Sequence, residues 1–276
     1  MEFSFIPLDE ALSERALIDL RTVQLLLPEV NSALMEGGWI GGGFARHLLL
    51  DRAANVYFNP EPVDGSLRPG DIDIFFKSVS QAQAVIPPHA RPSFANFAKE
   101  IHNRTIKVQF VDDPELIKPT IVESLSGFDI VNCSVALTHE FAVIPDGWRE
   151  LEASKLLRIA RNDTPFLGGR LLKYLEHRGL EGLTEDSYEK LTGWLAHAAN
   201  DFNENGWNKD HIGGVQGHVK RLKDRGLVKR EDLIFFISKW KQIIHERSYG
   251  SSRTYTVDWA LNELGSGDLE NGDPQL

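Results

Sequence analysis

Trp39-Ile40-Gly41-Gly42-Gly43-Phe44-Ala45-Arg46-His47-Leu48-Leu49-Leu50, followed by Gly70-Asp71-Ile72-Asp73-Ile74-Phe75-Phe76, decides the fold. Trp39-Ile40 reads as the end of a short strand. The three glycines form a tight turn, and Phe44 to Asp51 reads as a helix. Asp71 to Phe76 reads as a buried strand. Side chains alternate across a strand, so Asp71 and Asp73 share one face while Ile72 and Ile74 take the other. A third acid stands in Gly127-Phe128-Asp129-Ile130-Val131, on a stretch from Phe128 to Leu137 that also reads as a strand. Three carboxylates brought together are costly unless a divalent cation neutralises them. Asp71, Asp73 and Asp129 are therefore the candidate metal ligands.

The surrounding chain supports a mixed architecture. Leu12, Ala16, Leu20 and Val23 recur at helical spacing, and Pro28 is placed to start a second short helix. Asn55 to Gly70 holds three prolines and two glycines and reads as a long loop. Ile106 to Val111 reads as a strand, with Phe141 to Ile144 as a short hairpin partner. After Pro145 strand signals fade. The expected organisation is a catalytic domain over 1–148, a helical domain over 149–264 and a disordered tail over 265–276. Within the helical half, Leu172 to Leu180 echoes Val219 to Leu227. Each reads as a helix ended by a glycine in a left-handed cap, at Gly179 and Gly226.

Composition narrows the classes. The chain has 276 residues, with 42% hydrophobic and 25% charged, as in a soluble globular protein. No apolar run approaches a membrane span, and the start lacks the basic region of a secretory signal. Cys133 is the single cysteine, so no intrachain disulfide and no cysteine-based zinc site exists. A cytoplasmic location is expected. The net charge of −10 is unevenly spread. Residues 1–36 carry seven acids and two bases, whereas His218 to Arg230 holds six bases against Asp224 alone. Local field governs binding of a polyanion more than total charge does.

The stretch Gly42-Gly43-Phe44-Ala45-Arg46-His47-Leu48-Leu49-Leu50-Asp51-Arg52 resembles the Gly-Gly-Ala-Val-Arg-Asp-Leu-Leu-Leu-Gly-Arg motif of tRNA CCA-adding enzymes and bacterial poly(A) polymerases. These belong to the polymerase-beta-like nucleotidyltransferase superfamily. The likeness spans roughly residues 35–145, in the order glycine turn, acid-x-acid strand, third acid. Leu157-Arg158-Ile159-Ala160-Arg161 is similar to a Leu-Arg-Ile-Leu-Arg stretch that follows the catalytic head in those enzymes. The sequence departs from the family at His47, where an aspartate is usual, and in its longer loop between glycines and acids.

The resemblance implies an α+β fold: a nucleotidyltransferase head, with a mixed sheet flanked by helices, followed by an all-helical C-terminal domain. It implies transfer of a nucleoside monophosphate from an NTP, ATP or CTP, to a hydroxyl, with the 3′ end of RNA or tRNA as the acceptor. Asp71, Asp73 and Asp129 would hold two Mg2+ ions (Mn2+ in their place), and Gly42, Gly43 and Arg46 would contact the triphosphate. By their charge, rather than by the resemblance, Arg158, Arg161, Lys220, Arg221, Lys223 and Arg225 are the candidate nucleic-acid contacts, with a solvated helix face as the other reading of 218–230. A protein or small-molecule acceptor, or a silent nucleotide-binding module, would use the same head.

Each element also has a structural reading. Arg46 has a salt bridge without phosphate contact as its other reading. His47, His211 and His218 read as surface or core residues, and Trp194, Trp207 and Trp240 as packing in the helical core. Cys133, four residues after Asp129, would share its strand face, with packing as its role.

Overall fold

The computed structural model describes residues 1–59, 70–93, 97–103, 106–164, 167–204 and 218–228. The expected tail from Gly265, together with His211, Trp207, Trp240, Lys229 and Arg230, lies outside them. The chain divides into two compact units, one of residues 1–161 and 176–181, the other of 162–175 and 182–276.

The first unit opens with β1 (Phe3–Pro7), α1 (Leu8–Ala11), α2 (Glu14–Leu26) and α3 (Pro28–Met35). Ser13 caps α2 by accepting a hydrogen bond from the Ala16 N–H at 3.1 Å. The apolar spacing holds: Ala16, Leu20 and Val23 are buried, and Pro28 occupies the first turn of α3. There follow β2 (Trp39–Gly41), α4 (Gly43–Leu49), α5 (Ala54–Phe58), β3 (Asp71–Phe75), α6 (Val79–Val85), β4 (Arg91–Pro92), β5 (Ala98–Asn103) and β6 (Ile106–Val111). Next come α7 (Ile121–Ser126), a 3-10 turn at Val131–Cys133, β7 (Ala136–Leu137), β8 (Phe141–Pro145) and α8 (Trp148–Ala153).

The strands form one eight-stranded sheet in the order β1-β8-β7-β2-β3-β6-β5-β4. Among the described residues of this sheet only the β3–β6 pair is parallel; β2 pairs antiparallel with both β3 and β7. This is a mixed sheet flanked by helices, as expected. One face carries Ile72, Ile74, Val108 and Phe110, each 0% exposed, packed into a core that includes residues of α2, α3, α4, α5 and α6. Burying each such side chain contributes roughly 1.5–3 kcal/mol. The other face is divided. Towards β1 it is apolar, with Trp39, Phe75, Phe128, Ala136 and Val143 packed with Leu125 and Ile121 of α7. Towards β4 it is polar. Asp71 and Asp73 stand at the border between the two.

Two expectations need correction. The stretch from Phe128 to Leu137 is not a continuous strand. Only Ala136–Leu137 joins the sheet, while Val131–Cys133 coils into a 3-10 turn. The apolar residues there report burial (Ile130 1%, Val135 0%), and burial is compatible with a turn when other groups satisfy the backbone. Here the Asp129 carbonyl accepts from the N–H groups of Ala160 (2.8 Å) and Arg161 (3.3 Å). The turn also ends the strict alternation that would place Cys133 on the face of Asp129; Cys133 is buried. The second correction concerns the loop from Asn55. Its first residues are helical, because Tyr57 and Phe58 pack against Phe44 at centroid distances of 5.4 and 5.3 Å.

Beyond residue 161 the described chain is helical over α9 (Leu167–His177), α10 (Glu185–Glu204) and residues 218–224, with a two-residue strand at Gly182–Leu183. Gly179 and Gly226 both carry positive φ, +74° and +70°, as the repeated helix-stop pattern predicts. Trp194 packs as expected: it is 1% exposed and its indole N–H donates to the Thr164 carbonyl at 2.9 Å. Among the described residues no helix is long and apolar enough to cross a membrane.

Candidate active site

The site is built around β3. Asp71 and Asp73 project from the same face, both half-buried. Gly41 of β2 lies opposite Asp73, and the chain then turns at Gly42 with φ +73° and ψ −136°. That conformation is nearly reserved for glycine. A Cβ at Gly42 would lie 3.7 Å from the Phe128 ring and 3.8 Å from Asp73 Oδ2. The glycine turn, the second acid and the residue preceding the third acid therefore meet at one place. Phe128 also packs on Phe75 at 5.5 Å, which brings the Asp129 segment to the acid-bearing face of the sheet.

Asp129 itself is buried, 6% exposed. Among the described residues no group of three or more His, Cys, Asp or Glu side chains is gathered closely enough to hold a metal ion. The pair on β3 nevertheless suits a hard divalent cation in its donor chemistry, two carboxylates on one strand face. Asp71 already carries a positive group: Lys107 Nζ lies 3.1 Å from its Oδ2.

Beyond the acids the same face continues as a polar row. The register sets Lys107 beside Asp71 and Gln109 beside Asp73, then Glu100 beside Gln109 and His102 beside Lys107. Gln109 Nε2 donates to Glu100 at 3.2 Å and His102 Nε2 pairs with Glu100 at 3.0 Å. The Glu100 carboxyl is held below its usual range: burial opposes this, but hydrogen bonds from His102 and Gln109 and the Lys107 charge outweigh it.

Arg46 is 2% exposed and is committed to Glu152 through a bidentate pair, Nε to Oε1 at 2.7 Å and a terminal N–H to Oε2 at 2.6 Å. Glu152 also accepts from Asn132 Nδ2 at 2.9 Å. Asn132, fully buried, accepts from the Arg158 N–H and donates to the Leu156 carbonyl. Arg46 thus ties α4 to α8 and to the turn after Asp129. His47 is buried and its ring bonds the Ala53 carbonyl at 2.8 Å. A carbonyl only accepts, so Nε2 carries the proton. Burial, reinforced by the charges of Arg178, Arg52 and Arg46, lowers its pKa to about 4. His47 is a neutral core residue.

Tyr57 and Arg178 complete the surroundings. The Tyr57 hydroxyl donates to the Asp71 carbonyl at 3.3 Å, and the Arg178 guanidinium lies 4.4 Å over its ring. Burial, then the charge of Asp71, raises the Tyr57 pKa well above its ordinary value, so the phenol stays protonated. Sequence reasoning missed Tyr57, Lys107, Glu152 and Arg178. None carries a local signal, since each is defined by pairing across long separations.

The expected nucleic-acid contacts fall in two places. Arg158 and Arg161 are exposed and flank the Asp129 segment; Ile159 bridges Ile130, and an Arg161 guanidinium N–H donates to the Gly127 carbonyl at 3.3 Å. In the second unit Lys220, Arg221 and Arg225 are exposed and Lys223 is half-buried, while Val219 and Leu222 are buried. Lys220, Arg221 and Lys223 lie on a short helix and Arg225 on the turn that ends it.

No family model matches the chain, and no curated protein matches it. Solved structures do. All of the chain (100%) aligns with 68% of a CCA-adding enzyme solved in complex with CTP, at 12% identity and a TM-score of 0.50. A Thermotoga maritima CCA-adding enzyme complexed with tRNA aligns over 98% of this chain and 76% of its own, at 12% identity and TM-score 0.48. A tRNA-processing enzyme solved with CTP aligns over 91% and 65%, at 15% identity and TM-score 0.45. In fold the chain is similar to the first of these, the CCA-adding enzyme solved with CTP, the likeness that its glycine turn and paired acids predict.

Proposed function

We propose that this protein is a nucleotidyltransferase that moves a nucleoside monophosphate from an NTP, CTP or ATP, to the 3′ hydroxyl of a tRNA-like RNA. The observation that carries the reading is the meeting of Asp73, beside Asp71 on β3, with the glycine-only turn at Gly42. That junction sits in a chain whose fold is similar to that of a CCA-adding enzyme solved with CTP.

Asp71 and Asp73, two carboxylates on one strand face, would hold Mg2+ or Mn2+. Bound there, the ions would supply positive charge to the triphosphate and lower the pKa of the attacking hydroxyl. The open backbone at Gly42 and Gly43 admits the triphosphate, where a side chain would obstruct it. The acceptor oxygen attacks the α-phosphorus as the bond to the β-phosphate oxygen breaks, and pyrophosphate leaves. The proton of the attacking hydroxyl would pass to a carboxylate of the acid pair or to water. Arg46 acts by fixing α4 and the turn before it. Arg158 and Arg161, beside Asp129, would receive the RNA backbone, and Lys220, Arg221, Lys223 and Arg225 offer a second basic surface.

Incubation with each labelled NTP, total RNA and Mg2+, followed by separation of RNA from protein, tests the reading. Label in RNA, most strongly from CTP or ATP, is the expected result. Label in protein or in a small molecule would move the acceptor to the alternative class. No incorporation from any NTP would leave a silent nucleotide-binding module and overturn the proposal.

A further inference from the structure

Asp71 and Lys107 are register partners on neighbouring parallel strands, so both side chains stand on the polar face of the sheet. Their ion pair is short, 3.1 Å, and half-buried, with side-chain exposures of 33% for Lys107 and 22% for Asp71. Among the described residues neither makes another salt bridge. Partial burial strengthens the pair relative to one in open water. Its place is the consequential point: the ammonium sits on a carboxylate oxygen that a divalent ion would need.

From this we infer that Lys107 is a resident counter-cation of the acid pair, which competes with the metal for Asp71 and passes to a phosphate of the incoming nucleotide. The inference rests on the nucleotidyltransferase reading and deepens it. An ammonium and a divalent ion on one carboxylate repel each other, so metal alone must displace Lys107 and leave its charge uncompensated nearby. A triphosphate brings enough negative charge to neutralise both. The lysine stem has four flexible carbons and is one-third exposed, which gives the ammonium room to swing from carboxylate to phosphate. Metal and triphosphate then bind with positive coupling, and the coupling is reciprocal. The physical gain is selectivity: Asp71 stays paired until metal and nucleotide arrive together.

Mn2+ binding to the full chain, read from the EPR signal of free Mn2+, tests this without any turnover. Lys107→Met, which keeps the stem, should bind Mn2+ alone roughly tenfold tighter than the native protein. At saturating Mn2+ it should bind a non-hydrolysable CTP analogue roughly tenfold more weakly, the gain and the loss being the two halves of one coupling. Lys107→Arg should behave like the native protein in the metal-only titration. Lys107→Gln repeats the test if Lys107→Met fails to give native circular dichroism. Unchanged or weaker Mn2+ binding in the neutral variants, with native binding lost in Asp71→Asn, would overturn the role of Lys107 and leave the transferase reading intact. No Mn2+ binding in any form, with or without nucleotide, would overturn both.

Discussion

Replacing Glu152 by alanine should be among the most damaging single changes in the first unit. The carboxylate is 8% exposed and accepts from Arg46 at 2.7 and 2.6 Å and from Asn132 at 2.9 Å. Its loss removes the bidentate carboxylate partner of the Arg46 guanidinium, 2% exposed, which lies near the positive charges of Arg52 and Arg178. Breaking one side of such a buried pair typically costs roughly 3–5 kcal/mol, most of it the penalty of an uncompensated charge. The double variant Arg46→Met with Glu152→Met removes that charge as well, and Asn132 keeps its bond to the Leu156 carbonyl at 3.1 Å. It should therefore stand within about 1–2 kcal/mol of the native protein. Urea unfolding followed by circular dichroism, completed as a double-mutant cycle, measures both quantities. A single-variant cost below about 1 kcal/mol, or additive effects in the cycle, would refute the view that this pair is a buried and mutually dependent unit.

Three further outcomes follow from the same geometry. His47 takes its proton at about pH 4 in the native state against 6.5 in the unfolded state, so below 6.5 the unfolded chain binds more protons. Its contribution is complete above pH 6.5 and falls by about 3 kcal/mol as pH drops towards 4, and His47→Gln should flatten that part of the stability profile; identical profiles would refute it. Gly42→Ala has ordinary space around the new Cβ, so its cost should be backbone strain alone, roughly 1–3 kcal/mol, accompanied by weakened nucleotide binding in calorimetry. Gly70→Ala should act differently, since its Cβ would stand 2.0 Å from a Tyr57 ring carbon. Displacing that ring should lower the melting temperature, and an unchanged melting temperature would contradict the close packing of Tyr57 on this turn.

How far the fold could be read from the sequence varies by element. The helical spacing of Ala16, Leu20 and Val23, the Pro28 start and the alternation through Asp71 to Phe75 are local patterns, and the structure follows them. The segment after Asp129 misleads because Ile130 and Val135 are apolar for burial, while the backbone there is served by Ala160 and Arg161 from far along the chain. Strand β1 and helix α7 escaped notice because each is short and its apolar face makes sense only against the assembled sheet. The acid pair and the glycine turn were legible as motifs. Their meeting with Phe128, and the pairing of Asp71 with Lys107, depend on strand order and register, which no local spacing encodes.

Nucleotidyl transfer is assigned to Asp71 and Asp73, beside the Gly42 turn. Transfer of label from [α-32P]CTP or ATP to tRNA, compared between the native protein and Asp71→Asn with Asp73→Asn, tests it directly. Label incorporated by the native protein and lost in the variant, with circular dichroism unchanged, is the predicted result. Equal incorporation by both proteins would contradict the claim.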